Sequence, residues 1–331
     1  MATLKDVAKL ANVDISTVSR ALNNTSYVHP ETKKRIMKAV KELSYKPNVL
    51  ARGLRQGKLN TIAAVMPMLS FSVFDEVVSG IEEAARREGF ATLIVNTGGD
   101  EQAEKESLEK LRNGFVDGLI IAGTGANHRL VRDIRTEMPV VQVIRRLDEA
   151  ISSVVVDYVD VGQRATAHLL EKGCTHIGLI NGSMKISPYA ERYEGYRKAL
   201  KKKKLEEITT EHDSKLRGMK YGYDCAMELL AENKKLDAIL AATDAQGIGV
   251  LRALKEKKLR VPDDIRVISM TGHRVGDMLE TSLTSMELPG AEIGAHAAEM
   301  LIREINAGSE KQQPVQHLKF QAVLAERETT A

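Results

Sequence analysis

Ile15, Ser16, Ser19 and Arg20 form a cluster of side chains that could read nucleic-acid bases. The serine hydroxyls can donate or accept hydrogen bonds, Ile15 can only touch a methyl group, and Arg20 can pair bidentately with guanine. Their spacing puts them on one face of a short helix from residue 15 to about 22, with Val18, Ala21 and Leu22 on the inward face. The same pattern also suits the outer side of an ordinary helical hairpin. Other arrangements with chemical potential do not hold. Gly53-Leu54-Arg55-Gln56-Gly57-Lys58 approaches a phosphate loop but is one residue short and lacks Ser or Thr after Lys58. Gly123-Thr124-Gly125 lacks the third glycine of a dinucleotide site. His168, His176 and His296 have no paired ligands at metal-binding spacing, and no Ser/His/Asp set stands out, so neither a metal site nor an enzyme is expected.

The base-reading face needs a support that holds it outward. Leu4, Val7, Ala8 and Ala11 recur at three- and four-residue spacing, which is one apolar helix face. Thr3, with Asp6 three residues later, completes a capping box in which Asp replaces Glu. Asn12-Val13-Asp14 interrupts the pattern, and Asp14 suits the N-cap of the next helix. Two short helices joined by such a turn make a helix-turn-helix, whose second helix fits a DNA major groove. His29-Pro30-Glu31 opens a third helix with Pro in its first turn, and Ile36, Ala39, Val40 and Leu43 form its apolar face. Residues 1–60 carry 12 Lys or Arg against 4 Asp or Glu, a net of +8, while the rest of the chain nets −5. A basic head on an acidic body is the electrostatic footprint of a polyanion-binding protein, with double-stranded DNA the first candidate. Lys33, Lys34, Arg35, Lys38 and Lys41 of the third helix also suit a solvated face.

Leu4-Lys5-Asp6-Val7-Ala8, Val13, Thr17-Val18-Ser19-Arg20, Leu22-Asn23, Thr32, Tyr45-Lys46-Pro47-Asn48, Ala51-Arg52 and Leu54 form a long ordered signature. In these residues the chain resembles the LacI/GalR family of bacterial transcription regulators. The resemblance implies DNA contacts from Thr3, Leu4, Ile15, Ser16, Thr17, Ser19, Arg20, Asn23 and Tyr45, and from Asn48, Ala51, Arg52 and Leu54 in the following linker. It also implies a hinge helix that orders on operator DNA, with Leu54 of each chain of a dimer wedged into the minor groove. Read on residues alone, the linker offers barely two helical turns. Gly53 stands where the family usually has Ser and costs about 1 kcal/mol relative to Ala. Leu54 alone reads as an ordinary apolar linker residue.

From residue 61 the pattern changes. Apolar runs at 62–66, 91–95, 119–122, 140–144, 154–156, 177–180, 238–241 and 267–270 alternate with helical stretches such as 74–88, 100–113, 161–172, 189–203 and 245–258. Continuous apolar strands separated by helices mean parallel sheets covered on both faces. Eight runs are too many for one compact sheet of this size, so two doubly wound lobes are expected, with the chain crossing near 157–160 and again near Pro289. The resemblance implies the type I periplasmic sugar-binding fold. The expected fold class is therefore α/β. An all-α helix-turn-helix head (1–46) is joined by a hinge helix and linker (47–60) to an effector-binding and dimerisation body (61–331). Its N-lobe would take about 61–158 and 290–320, and its C-lobe about 159–289 and 321–331.

Ligands of such sheets bind beyond the carboxyl ends of the strands, here between the lobes. After the first strand, Phe71, Ser72 and Phe74 stand where most of the family has an Asn-Pro-Phe element. The segment SFSVFDEVVSGI looks more like that of the family's sucrose-operon repressors. Its rings could stack on a sugar, and Phe74 suits the core equally. Arg145-Arg146 follows the fourth run, with Ile144 at the family's Asp position. Arg192 matches the family's sugar-binding Arg, whose fork suits vicinal hydroxyls or an anionic oxygen pair. Thr243-Asp244 matches the family's Asn-Asp, and Asp244 suits either a sugar contact or a helix cap. Near His273 the family's Phe-Asp-Asp becomes Met270-Thr271-Gly272. The effector site implied is thus Phe71, Ser72, Phe74, Arg145, Arg192, Thr243, Asp244 and His273, for a neutral or a phosphorylated sugar.

Cys174 and Cys225 lie far apart without CxxC spacing, which argues for reduced thiols. No leader or long apolar run appears, so a soluble cytoplasmic protein without membrane contact is expected. No cofactor is expected. The partners expected are a pseudo-palindromic DNA operator, a sugar effector and a second copy of the chain. With no C-terminal leucine heptads, a homodimer is expected in place of a tetramer. The function expected is repression of carbohydrate genes.

Overall fold

The computed structural model describes residues 2–23, 26–45, 58–70, 73–210, 218–233, 235–272, 274–308 and 313–331. The chain divides into two compact units, Met1–Leu59 and Asn60–Ala331.

The first unit holds α1 (Leu4–Ala11), α2 (Ile15–Asn23) and α3 (Pro30–Glu42). The Thr3 hydroxyl accepts from the Asp6 N–H at 3.3 Å, and the Asp6 carboxylate accepts from the Thr3 N–H at 2.8 Å. This capping box opens α1. Asn12 closes it at φ 50°, a left-handed conformation that Asn adopts more readily than most residues. The core is Val7, Ala8, Ala11, Val18, Ala21, Ile36 and Ala39, with Leu4, Leu22, Val40, Leu43 and Tyr45 packed against it. A core this small depends on each aliphatic side chain.

The strands of the second unit are β1 (Thr61–Met66), β2 (Ala91–Asn96), β3 (Gly118–Ile121), β4 (Val140–Val143), β5 (Ser153–Val156), β6 (Ile177–Ile180), β7 (Ile208–Thr210), β8 (Ala238–Ala241), β9 (Arg266–Gly272), β10 (Thr284–Glu287), β11 (His317–Phe320) and β12 (Val323–Ala325). Its helices are α4 (Val73–Arg87), α5 (Glu101–Arg112), α6 (His128–Arg135), α7 (Tyr158–Glu171), α8 (Ser187–Lys203), α9 (Met219–Glu232), α10 (Asp244–Glu256) and α11 (Gly290–Ala307). Two six-stranded sheets result, in the orders β11-β5-β4-β3-β1-β2 and β12-β10-β9-β8-β6-β7. Neighbouring strands are parallel except β10 and β12.

The apolar runs become strands, and those inside the sheets are buried along their length. The pattern of runs leaves out β7, β10, β11 and β12. The edge strand β11, His-Leu-Lys-Phe, alternates exposed and half-buried residues, so no continuous run marks it. The run at 91–95 misleads in the opposite sense. It forms the edge strand β2, where Leu93 and Ile94 keep 42% and 44% of their surface exposed.

The chain passes between the sheets after β5, after β10 and after β11. Two of these crossings are tied together. The Asp157 N–H donates to the Phe320 carbonyl at 3.0 Å, Lys319 Nζ donates to Asp157 at 2.9 Å, and Arg164 donates to the Ala322 carbonyl at 2.7 Å. The Asp157 carboxylate also accepts from the Asp160 N–H and caps α7, which fixes where that helix begins. Beside it, α8 packs so tightly that a Cβ on Gly162 would lie 2.1 Å from the Arg192 carbonyl oxygen, and one on Gly195 2.2 Å from that of Val159. These two glycines let the backbones of α7 and α8 meet. They set the distance between Tyr158, at the start of one helix, and Arg192, within the other.

Candidate nucleic-acid interface and effector cleft

On α2 the inward residues Val18 and Ala21 are buried. Ile15, Ser16 and Arg20 are exposed, and Thr17 and Ser19 are half-buried beside them. The surface offers one guanidinium, hydroxyls and a methyl-bearing side chain on a single face. That inventory meets the donor and acceptor edges of a base pair. Thr3 spends its hydroxyl on the cap of α1, Leu4 packs on the core, and Tyr45, half-buried, packs there too while its N–H donates to the Val40 carbonyl at 2.9 Å. The Asn23 side chain and Asn48, Ala51, Arg52 and Leu54 lie outside the described residues.

The second site gathers at the carboxyl ends of the strands. β4 stops at Val143, and the Arg145 N–H donates back to the Val143 carbonyl at 2.6 Å around Ile144, at φ 64°. A three-residue turn with a β-branched residue at positive φ is strained, and strain of this kind persists where the surroundings hold it. It delivers Arg145, buried, with Nη1 donating to the Gly123 carbonyl at 3.0 Å and the guanidinium 5.7 Å from the Phe74 ring centroid. Phe74 therefore spends a ring face on Arg145 and belongs to the core as well. Arg146 turns away to pair with Glu149 at 3.2 Å.

On the other side Arg192 is 3% exposed, with its guanidinium 4.4 Å from the Tyr158 ring centroid and 5.8 Å from that of Tyr189. No carboxylate lies within ion-pair distance of it among the described residues. Burial lowers the pKa of the guanidinium, against the opposing influence of Tyr158, Tyr189 and Glu191. Burial likewise pushes the Tyr158 phenol up to about 12, with Arg192 and Arg145 both near enough to oppose it. Arg192 thus stands over Tyr158, and Arg145, which faces Phe74, lies near enough to act on the same phenol. Asn181, directly after β6, donates from Nδ2 to the Tyr189 carbonyl at 3.2 Å. Gly182 makes room for that tyrosine, since a Cβ there would lie 2.6 Å from its ring.

Thr243 and Asp244 end β8 and begin α10. The helix cap belongs to Thr243, whose hydroxyl accepts from the Gln246 N–H at 3.3 Å, and not to Asp244. Asp244 is buried one residue further on, facing the short 3₁₀ segment Arg274–Met278. Phe71, Ser72 and His273 lie outside the described residues. Tyr158, Asn181 and Tyr189 were not among the expected contacts. The signal for Asn181 was available, being the same polar-residue-after-a-strand rule that picks out Arg145 and Thr243. Tyr158 reads as one more residue of a helix start.

The remaining candidates are structural. His168 hydrogen-bonds to the Thr330 hydroxyl at 2.9 Å, and Cys174 and Cys225 are buried free thiols whose pKa burial raises. Among the described residues no group of His, Cys, Asp and Glu could hold a metal ion, and no helix is long and apolar enough to cross a membrane.

Comparison with known proteins covers both units. Residues 3–48 match the family described as bacterial regulatory proteins, lacI family. Residues 59–321 match the periplasmic binding proteins and sugar binding domain of that family. The chain is similar to a ribose operon repressor of Escherichia coli, 33% identical over 99% of each chain. It is also similar to one of Halalkalibacterium halodurans, 30% identical over 100% of this chain and 97% of the relative. Among solved structures, a CelR–cellobiose complex is 28% identical, with a TM-score of 0.73 over 99% of this chain and 100% of that one. A lac repressor dimer bound to operator and an anti-inducer shares the fold, with a TM-score of 0.87 at 24% identity over 99% of each chain.

Proposed function

This chain belongs to the LacI family of bacterial regulatory proteins, which are transcription regulators and not enzymes, and on that premise we propose that it is a homodimeric repressor of carbohydrate genes whose operator affinity is set by a sugar held between its two lobes. The observation that carries this reading is the exposed Ile15, Ser16 and Arg20 on a helix whose other face is the core of a basic head. In this reading those three residues, with Thr17, Ser19 and Asn23, meet base edges. Thr3, Leu4 and Tyr45 fix the head on the backbone, and Asn48, Ala51, Arg52 and Leu54 of the linker reach the minor groove. The apolar edge strand β2, with Leu93 and Ile94 in the open, suits cover by a second copy, because an exposed apolar edge invites pairing. Two heads related by two-fold symmetry then read a pseudo-palindrome. Arg145, Arg192, Phe74, Thr243 and Asp244, with Phe71, Ser72 and His273, belong to the effector cleft.

The test begins with a duplex selected from a random pool by the wild-type protein. Arg20→Ala should bind that duplex more weakly by about 1–3 kcal/mol and relax the preference at one base pair. Its thermal response to sugars should match that of the wild type. An unchanged affinity for the selected duplex refutes the base-reading role.

A further inference from the structure

Glu104, in the first turn of α5, is 1% exposed. Among the described residues no basic side chain lies within ion-pair distance of it. Burying a carboxylate without a cation is costly, and hydrogen bonds from a single loop offset the cost here. Oε2 of Glu104 accepts from the Thr124 N–H at 2.7 Å. Oε1 accepts from the Thr124 hydroxyl at 2.8 Å and from Asn127 Nδ2 at 3.0 Å. Thr124 and Asn127 lie in the loop that follows β3. The preceding residue, Gly123, offers its carbonyl to Arg145 Nη1 at 3.0 Å. The N–H taken by Glu104 and the carbonyl given to Arg145 belong to one peptide group.

A peptide group is planar, and in the trans form its N–H and carbonyl point opposite ways. The trans Gly123–Thr124 peptide therefore carries a carboxylate at one end and a guanidinium at the other. Turning that plane breaks both bonds together. Held still, the peptide is polarised along its length, and hydrogen bonds in such a chain strengthen one another. The arrangement needs a carboxylate. Thr124 N–H and Asn127 Nδ2 can only donate, and the Asn127 amide is fixed because the same nitrogen donates to the Glu101 carbonyl at 2.8 Å. Two carboxylate oxygens accept from all three donors of the loop. An amide in the same place turns its own N–H group toward one of them.

We propose that Glu104 is a positioning residue for Arg145, acting through the Gly123–Thr124 peptide whose carbonyl holds the guanidinium. Its functional meaning rests on the effector role given to Arg145 above. The balancing charge sits on the α5 side of the peptide, so Arg145 is steadied without a carboxylate beside it.

The test uses Glu104→Gln in the full chain, which keeps the size of the side chain and removes its charge. The first readout is the Arg145 Nε–H resonance in the ligand-free protein, assigned by its loss in Arg145→Lys. It should shift in Glu104→Gln, because the guanidinium moves against the Phe74 ring that it faces. An unmoved resonance overturns the proposal. Asn127→Ala removes one contact of Glu104 and leaves the charge and the peptide bond in place, so it should leave the resonance near its wild-type position. A shift as large as that of Glu104→Gln would show a general loosening of the loop and overturns the route through the peptide. The second readout is calorimetric titration with D-ribose, sucrose, cellobiose and D-ribose 5-phosphate. Glu104→Gln should weaken whichever of these binds the wild type by about tenfold. In an Arg145→Ala background the same substitution should change affinity by less than about twofold, because its effect travels through Arg145. Equal losses in the two backgrounds, or no loss in the first, overturn the proposal. If none of the four binds the wild type, the effector reading fails, and the resonance alone upholds or overturns the hold of Glu104 on Arg145.

Discussion

Arg20 and Arg192 are the same side chain placed in opposite solvents. Arg20 lies exposed on α2, where water pays its solvation and salt screens its field. Its placement costs the head nothing, since it stays in water. Arg192 is buried, without a carboxylate, between two tyrosine rings. Burying a charge is costly, and cation–π contact offsets only part of that. The surface site is built on one helix, because it needs only a direction. The buried site draws on β4, α4, α7, α8 and the end of β6, because solvent must be excluded from every side. An exposed arginine can thus be exchanged with little effect on the fold, whereas a buried one weighs on stability.

The largest effect expected from breaking this contrast is in Arg192→Ala. Sugar affinity should fall by about 100-fold or more, since several charge-assisted hydrogen bonds are lost together. Operator affinity without sugar should stay at the wild-type level. An undiminished calorimetric affinity would return Arg192 to a structural role.

Gly162→Ala comes next. Its Cβ would meet the Arg192 carbonyl oxygen at 2.1 Å, so α7 and α8 must separate, at about 1–3 kcal/mol. The melt of the body should come several degrees lower. The sugar response should shrink as well, because the same shift moves Arg192 off Tyr158, while DNA binding by the head should persist. A melt and a sugar titration both identical to wild type would show that the two helices do not fix the cleft.

The smallest effect belongs to the head. Thr3→Ala should cost about 1 kcal/mol through loss of the cap on α1. The Thr3 N–H and hydroxyl hold the Asp6 carboxyl below its ordinary value of 3.8. A carboxyl with a depressed folded pKa contributes fully above the ordinary value and loses that contribution as pH falls through it. Hydrogen exchange of the α1 amides, corrected for intrinsic rates, should therefore quicken as pH falls below 3.8 in the wild type. In Thr3→Ala it should be fast already at pH 5 and change less. Identical acid responses in the two proteins would mean that the cap does not hold α1.

The head was legible in the sequence because its information is local. The cap Thr3–Asp6, the turn at Asn12 and the faces of α2 all follow from residues within four positions of one another. The two-lobed α/β body was legible as well, because buried parallel strands write themselves as continuous apolar runs. Periodicity could not give the order of the strands, since every pairing is between distant segments. Nor could it show that the apolar run at 91–95 lies at an edge, or that the alternating residues 317–320 return to the first sheet. The cleft depended on tertiary structure most of all. Arg192 was recognisable from a family pattern. Its neighbour Tyr158 became visible only once the chain had crossed between the sheets and α7 met α8 at two glycines. Sequence alone determined which residues prefer helix, strand, water or core, because those preferences act over a few residues. Only the fold decided which polar atoms would be buried without a partner, because that depends on what every other segment leaves unfilled.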